Sequence, residues 1–260
     1  MVWLQVSVLA IVAIGTLNWK VLPFVWHLKV FKAIYDAFSS NLLLPKPGQQ
    51  FAEFITPSRS PFGECDLYMH KSNSTYFSDL DVARAKLLAN VFRPAWVFYQ
   101  QQGEVPPHPI LGGVVCLFKK EIPLYQRYEI RSRILCWDRK WLWIVSHFVE
   151  TGHTAGRPRG LYASCLSKLV FKQKGRTIPP EEIFKNAGYL PPGYQATKKQ
   201  PWAAPNCRSS NTDPAPPSRS KRSGDWGSAE IEEERLIGCD CAFFMESLDS
   251  LHHKLIPNEA

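Results

Sequence analysis

The sequence lacks the signature motifs of several large protein classes. It has no Gly-x-Ser-x-Gly segment, which disfavours an α/β-hydrolase. It has neither the Gly-x-Gly-x-x-Gly of dinucleotide-binding proteins nor a phosphate-binding loop with Gly-Lys-Ser/Thr. RNP-like aromatic motifs, zinc-finger spacings and helix-turn-helix signals are also missing. We therefore expect no nucleic-acid partner.

Cysteine is present but does not form a recognisable framework. Cys116, Cys136 and Cys165 lie in apolar, strand-like runs, which favours buried thiols in a reducing compartment over a set of disulfides. Cys239 and Cys241 form a Cys-x-Cys pair, but a structural metal site needs a second well-spaced pair, and the sequence has none. We expect no metal and no redox cofactor.

Residues 1–19 contain no charged side chain. As a helix this stretch would be about 28 Å long, close to the thickness of the hydrocarbon core of a bilayer. Trp3 and Trp19 lie near its ends, where aromatic belts occur. A secretory signal peptide is the alternative, but no basic residue precedes the apolar run. The first basic residues all follow it: Lys20, Lys29 and Lys32.

By the positive-inside rule, this charge pattern predicts a single-pass membrane anchor whose following domain is cytosolic. Four regions are expected along the chain: a membrane-associated leader at 1–38, a core domain at 50–195, a linker rich in Pro, Ser and basic residues at 196–228, and a C-terminal helix and tail at 229–260. Residues 21–38 are expected to lie on the membrane surface or to pack on the domain.

One long helix followed by strands is predicted for the core domain. Apolar residues recur at helical spacing from Tyr76 to Phe92, and Pro94 is expected to end that helix. A short strand before it and four strands after it are predicted at Phe51–Ile55, Ile110–Phe118, Tyr125–Trp137, Trp141–Val149 and Leu161–Phe171. This order predicts an α+β fold, an antiparallel sheet wrapped around one long helix.

The segment before the long helix carries the candidate chemistry. Asp66, His70 and Asn73 bring a carboxylate, an imidazole and an amide together within eight residues. Asp66 can act as a nucleophile or general base, while His70 and Asn73 can orient water or polarise a carbonyl. Backbone N–H groups at the start of the helix can stabilise an oxyanion. This combination predicts hydrolysis of a thioester.

The same segment resembles a known family. Phe62-Gly63-Glu64-Cys65-Asp66 is similar to the F-G-D-C-D entry of hotdog-fold acyl-CoA thioesterases, and the run from Asp66 to Tyr76 resembles their D-x-x-x-H-x-N-N-x-x-Y pattern. The likeness covers about residues 50–195 and is best to the subgroup around thioesterase superfamily member six and the fungal LcsJ-type thioesterases. This chain departs from the pattern at three positions: Glu64, Tyr68 and Ser72.

The resemblance implies a hotdog fold, with Asp66 as the catalytic acid and His70 and Asn73 as helpers. It also implies a homodimer with the acyl channel near the subunit interface and an acyl-CoA or carrier-bound acyl substrate, in a fungal secondary-metabolite pathway for polyketides or lipopeptides. Tyr76, Arg157 and Arg159 are the expected substrate-binding residues, the two arginines for the phosphates of coenzyme A.

Simpler roles remain open for each of these residues. Asp66 could cap a turn, His70 could be a structural histidine, Asn73 could be the helix cap, and the two arginines could belong to a solvated loop. Asp81 is a weaker site candidate. The alternative functions are an acyl-binding accessory protein of the same fold, a hotdog hydratase or dehydratase, and a membrane scaffold that works through the helix predicted at Glu230–Leu251.

Overall fold

Five helices and six strands make up the described part of the chain, which in this computed structural model comprises residues 1–40, 45–152, 160–196 and 226–255. The helices are α1 (Val2–Leu17), α2 (Val25–Ser39), α3 (Thr75–Gln101), α4 (Pro180–Ala187) and α5 (Ser228–Leu255). The strands are β1 (Phe54–Arg59), β2 (His108–Phe118), β3 (Arg127–Trp137), β4 (Trp141–Glu150), β5 (Leu161–Gln173) and β6 (Arg176–Ile178).

All the strands join one antiparallel sheet in the order β1-β3-β4-β5-β2, and the short β6 folds back onto β5. A tight turn connects β3 to β4, where the carboxylate of Asp138 accepts the N–H groups of Lys140 and Trp141, each at 2.7 Å. Strand β2 precedes β3 in the chain but pairs with β5, with Cys116 opposite Cys165. The outermost strands of the main sheet are therefore β1 and β2.

The sheet wraps around α3, as the sequence predicted. Tyr76, Leu80, Ala83, Leu87 and Val91, the predicted apolar face of the helix, are all buried. They pack on the inward-facing residues of the strands, which alternate along β3 as expected for a half-buried strand. The α+β fold class is confirmed.

The prediction that Pro94 ends the long helix is wrong. Its ring removes the N–H that would bond to the carbonyl of Asn90, yet the helix continues for seven more residues, to Gln101. Beyond the proline, Ala95 and Tyr99 are buried, and the indole of Trp96 donates a 2.9 Å hydrogen bond to the carbonyl of Pro107. Burial of this extra stretch offsets the missing hydrogen bond.

The first strand is shifted from its predicted position at Phe51–Ile55. Phe51 instead lies in a 3₁₀ turn and stacks on Trp137, with ring centroids 5.6 Å apart. The strand begins at Phe54 and runs through Pro57 to Arg59. Proline is tolerated there because β1 is an edge strand and bonds to only one neighbour.

The first helix of the leader is shorter than the predicted apolar helix, and the leader is bonded to the domain more closely than predicted. Helix α1 has 16 residues, about 24 Å, rather than the expected 19. It ends because Asn18 turns the chain: its amide donates to the carbonyl of Ile14 at 3.1 Å, and its side-chain oxygen accepts the N–H of Gly63 at 3.0 Å. Within the described ranges no helix is both long and apolar enough to cross a membrane. The predicted transmembrane anchor is therefore not supported.

Helix α2 packs along α3, one of the two arrangements left open for residues 21–38. The guanidinium of Arg93 donates to the carbonyls of Ala37 and Ser40 at 2.7 and 2.6 Å, which satisfies the end of α2. Phe38 stacks on Trp96 with ring centroids 5.6 Å apart. The leader is thus built into the domain through its second helix.

A β-bulge in β3 creates the surface on the outer face of the sheet against which the C-terminal helix packs. The register of β3 on β4 shifts between Ile134 and Cys136. As a result Leu135 and Cys136 both join the outer cluster with Trp143, while Ile134 and Trp137 belong to the inner core. Two consecutive apolar residues on one face form the surface on which α5 lies.

Helix α5 docks on this surface, one of the two roles left open for it. Arg235 is buried, and its guanidinium bonds to the carbonyl of Trp137 at 2.8 Å and to both carboxylate oxygens of Glu232 at 2.6 and 2.8 Å. The helix comes so close to β3 that a Cβ atom on Gly238 would lie 2.3 Å from the carbonyl oxygen of Leu135. Glycine is required at that contact.

Arg235→Met should lower the free energy of unfolding by about 3 kcal/mol, because it leaves a largely buried carboxylate and the Trp137 carbonyl without their cation. Arg133→Met is the matched control, since it removes a more exposed ion pair from α5 to β3, with Glu234 at 2.7 Å, and should cost less than about 1 kcal/mol. Urea denaturation measures both. Equal losses would contradict the role given to Arg235.

Candidate active site

The segment before α3 folds into a tight loop. Cys65 and Lys71 pair as an isolated antiparallel bridge, and inside that bridge the N–H of Asp66 donates to the carbonyl of His70 at 2.9 Å. Residues 64–72, here called the site loop, therefore form a small hairpin. Its base rests on the domain, and its tip carries two of the three predicted catalytic residues.

Asp66 lies at the tip with its side chain exposed. One carboxylate oxygen, Oδ1, accepts the N–H of Tyr68 at 2.9 Å, which is the turn-capping role considered for it. The second oxygen has no donor among the described residues. Leu67 and Tyr68 beside it are 99% and 81% exposed. The protomer thus presents a carboxylate with one bonded and one free oxygen, next to exposed apolar side chains.

The start of α3 offers unpartnered backbone donors. Ser74 occupies the cap position but makes no side-chain cap bond, and Asn73 is exposed. The N–H and hydroxyl of Thr75 both donate to the carbonyl of Ser72, at 3.0 and 2.7 Å. Within the described ranges no acceptor binds the N–H groups of Asn73 and Ser74. These two groups lie at the positive end of the helix dipole, where an oxyanion is stabilised.

His70 bonds to an acid outside the site loop. Its Nε2 lies 3.1 Å from a carboxylate oxygen of Glu121, and its backbone pairs with Pro123. No side-chain contact joins it to Asp66 in the described part of the chain. His70 and Asp66 therefore share one loop, and His70 serves to attach that loop to the segment after β2.

A buried ion cluster lies beneath the site loop. The ammonium of Lys20 contacts Glu64 Oε2 at 2.7 Å and Asp79 Oδ1 at 2.8 Å, and that of Lys71 contacts the same two carboxylates at 2.5 and 3.0 Å. The hydroxyl of Tyr128 donates a short hydrogen bond to Asp79. All five side chains are buried. Two cations balance two anions, as a buried charged group requires.

Burial and charge act in opposite directions inside this cluster. Burial alone would raise the pKa of Asp79, but the ammonium groups of Lys20 and Lys71 outweigh it and hold the pKa below its usual value. Burial lowers the pKa of Lys20 despite the attraction of Asp79 and Glu64. Burial, together with the Asp79 carboxylate, raises the pKa of Tyr128 well above its usual value. Tyr128 is therefore a neutral hydrogen-bond donor.

Tyr76 and Asp81 are the remaining predicted site residues that the structure describes. Tyr76 is only 2% exposed in the protomer, and its ring packs on Phe118 and Phe148 with centroids 5.0 and 4.8 Å away. Arg157 and Arg159 lie outside the described residues. The carboxylate of Asp81, the weaker candidate, makes a short ion pair with the buried Arg84.

A cavity of about 350 Å³ lies away from the site loop, between α2, α3 and β1. Ala33 and Ala37 line it from the leader, and Thr56, Val82 and Asn90 line it from the domain. None of the three predicted catalytic residues is among its lining residues.

The buried cluster is what sequence reasoning missed. Lys20 was interpreted as a positive-inside signal, because a lysine directly after an apolar run is typical of a membrane border. Its ammonium is instead enclosed by carboxylates of the domain. Glu64 stood out as an acid within the motif, but nothing in the sequence pairs it with a residue 44 positions earlier.

Comparison with known proteins agrees with the fold. The profile of the Thioesterase-like superfamily matches residues 60–202. The chain is 31% identical to the probable thioesterase atnL of Emericella nidulans over 90% of its own length and 83% of the relative's. It is 35% identical to the thioesterase lcsJ of Purpureocillium lilacinum, covering 72% of this chain and 64% of that one.

Among solved structures, the 4-hydroxybenzoyl CoA thioesterase from Pseudomonas sp. strain CBS-3 is similar at 20% identity, with a TM-score of 0.39 over 52% of this chain and 98% of that chain. The family and the enzyme class predicted from the sequence, a hotdog-type thioester hydrolase, are confirmed by the profile and the two fungal relatives. The chain belongs to the thioesterase-like superfamily.

Proposed function

We propose that this protein hydrolyses an acyl thioester of coenzyme A or of a carrier protein, with Asp66 as the catalytic acid. One observation carries the proposal: the site loop, which carries a carboxylate with one free oxygen, leads directly into the unpartnered N–H groups before α3. A thioester carbonyl placed between them would meet an attacking group on one side and oxyanion donors on the other.

Two chemical routes fit this arrangement. In the first, the Asp66 carboxylate attacks the carbonyl carbon, the thiolate leaves, and water hydrolyses the mixed anhydride. In the second, Asp66 takes a proton from a water molecule that attacks directly. In both, the N–H groups of Asn73 and Ser74 stabilise the negative charge that develops on the carbonyl oxygen. His70 then acts on the geometry of the loop through Glu121.

The site is completed by a second copy of the chain in this proposal. Strand β2 is an outermost strand of 11 residues that bonds to β5 on one side only. Ile110, Leu111, Leu117 and Phe118 are exposed along it. A long, exposed apolar edge favours pairing with another strand. Because Phe118 touches Tyr76 at the start of α3, a partner on this edge would also cover the site loop.

Membrane contact is proposed through the surface of the leader rather than by a span. Trp3, Leu9, Phe24, Phe31 and Tyr35 are each at least 66% exposed. Exposed apolar patches of this extent indicate a protein or membrane surface, and bulky aromatic residues suit the interfacial layer. We propose that α1 and the outer face of α2 lie in the headgroup region of the cytosolic leaflet.

The pathway is proposed on similarity alone. The resemblance to the LcsJ-type thioesterases is the basis for proposing a thioester intermediate of a fungal secondary-metabolite pathway, for polyketides or lipopeptides, as the substrate. An acyl-binding accessory role is the second candidate, and the departures at Tyr68 and Ser72 favour it because part of the polar motif is missing. A test of turnover separates the two.

Asp66→Asn should reduce the release of free thiol from acyl-CoA substrates by at least about 100-fold, because the amide keeps the turn but can neither attack nor accept a proton. Asp138→Asn is the matched control, since Asp138 also accepts N–H groups in a tight turn, far from the motif. A thiol assay on the purified full-length chain measures both. Unchanged release in Asp66→Asn would refute the catalytic role of Asp66, whereas tight binding without release by the wild type would support the accessory role.

Leu117→Glu should convert the dimer to a monomer and reduce thiol release with it, because a charge on the β2 edge opposes pairing. Ile55→Glu places the same charge at an exposed position of β1, the opposite edge, and should leave both properties unchanged. Sedimentation equilibrium gives the mass of each variant. A monomeric wild type with full turnover would refute the proposed assembly.

Leu9→Glu combined with Phe31→Glu should decrease binding to vesicles of neutral and anionic phospholipid by at least about tenfold. Each substitution removes an apolar side chain that would be buried in the lipid and replaces it with a charge that is unfavourable there. Ile237→Glu, at an exposed position of α5, should bind as the wild type does. Co-sedimentation with the vesicles measures this. Equal binding by all three proteins would refute membrane contact through the leader surface.

A further inference from the structure

A lysine of the leader belongs to the ion cluster beneath the candidate active site. Lys20 lies in the short turn between α1 and α2, outside the region matched by the family profile. Its ammonium is nevertheless enclosed by the domain, where it also donates to the carbonyl of Arg59 at 3.0 Å and to the hydroxyl of Tyr128 at 3.2 Å. Four oxygen-bearing residues of the domain therefore surround one cation of the leader.

The base of the site loop is held by the same ion cluster. Glu64 and Lys71, the two residues that close the loop, bond to each other through their side chains at 2.5 Å. The backbone carbonyl of Glu64 accepts the N–H of Ser72 at 2.8 Å, and the N–H of Lys71 donates to the carbonyl of Ile122 at 2.9 Å. Any displacement of Glu64 is transmitted to Asp66, which follows two residues later.

Charge balance makes Lys20 indispensable to this arrangement. Without it, Lys71 would be the one ammonium among the described residues still bonded to the buried carboxylates of Glu64 and Asp79, since Lys29 acts on them only at longer range. A buried cluster with one excess negative charge must take up a proton, admit water or move a carboxylate outward. Asp79 is fixed on α3 and hydrogen-bonded to Tyr128, whereas Glu64 is part of a loop. Glu64 is therefore the residue free to move.

We propose that Lys20 is a positioning residue for catalysis: by balancing the buried carboxylates of Glu64 and Asp79, it holds the site loop and hence Asp66 in its working geometry. The leader is then a structural part of the active site in addition to any contact with membranes. The inference rests on the proposed thioester hydrolysis, with Asp66 as the acting carboxylate.

Lys20→Met tests the proposal in the full-length chain. A loss of about 100-fold in kcat is expected, because small displacements of a catalytic group have effects of this size. KM should change by less than about threefold, since Lys20 does not reach the exposed surface where substrate binds. Lys32→Met is the matched control: it removes an exposed lysine of the same leader, paired with Asp36 one turn away, and should leave kcat unchanged.

A charge-balanced double variant separates positioning from folding. Lys20→Met combined with Asp79→Asn restores one cation to one anion and should recover kcat to within about tenfold of the wild type. The recovery distinguishes the proposal from general destabilisation, in which a second buried substitution would add to the damage. Wild-type kcat in Lys20→Met, or a double variant that is worse than Lys20→Met, would overturn the proposal.

Hydrogen exchange gives a readout that does not depend on turnover. In Lys20→Met the amides of Asp66, Lys71 and Ser72 should exchange faster, while amides of the β3–β4 pair keep their wild-type rates. If the wild type released no thiol from any acyl thioester, the proposed function would fail. The exchange rates would then still decide whether Lys20 holds the loop, and unchanged rates at those three amides would refute it.

Discussion

Neutrality of a buried four-charge cluster is the constraint on which the site depends. Lys20, Glu64, Lys71 and Asp79 come from the leader, the site loop and the long helix, and each is enclosed by the others. Opposite charges in a buried site stabilise one another only when their geometry is maintained. The cluster therefore fixes where three separate segments meet, directly below the loop that carries the candidate nucleophile.

This constraint explains why α3 packs in two different ways along its length. Below the start of the helix the packing is ionic and directional, while the rest of the helix rests on an apolar core of aromatic and aliphatic side chains. Apolar packing tolerates small shifts, whereas hydrogen-bonded charges do not. The more exacting interaction thus lies below the loop that carries the candidate catalytic acid.

Sequence reasoning was most successful where a pattern is local. The repeated apolar spacing from Tyr76 to Val91 and the alternation along β3 identified the helix, the sheet and the fold class. It failed at Pro94 because a single-residue propensity was outweighed by the burial of Ala95 and Tyr99 one turn later. It also misjudged the leader, since length and hydropathy do not reveal that Asn18 turns the chain.

The members of the candidate site were proposed from the sequence, whereas the contacts that support them were not. Asp66, His70 and Asn73 stand close together in the sequence, so a motif can identify them. The contacts that orient them join residues far apart, such as His70 with Glu121 and Lys20 with Asp79. A single sequence contains no signal for such pairs, because a lysine or a glutamate is usually a solvated surface residue.

The bulge in β3 has a consequence for how this fold varies. One additional residue between Ile134 and Trp137 turns two neighbouring side chains outward, and the C-terminal helix occupies the apolar strip they create. Without that residue, β3 would pair with β4 in an unbroken register. The inner core would stay the same, but the apolar strip on the outer face of the sheet would be too narrow for α5. The seat of the C-terminal helix thus depends on one residue of strand length as well as on Arg235 and Gly238 of the helix itself.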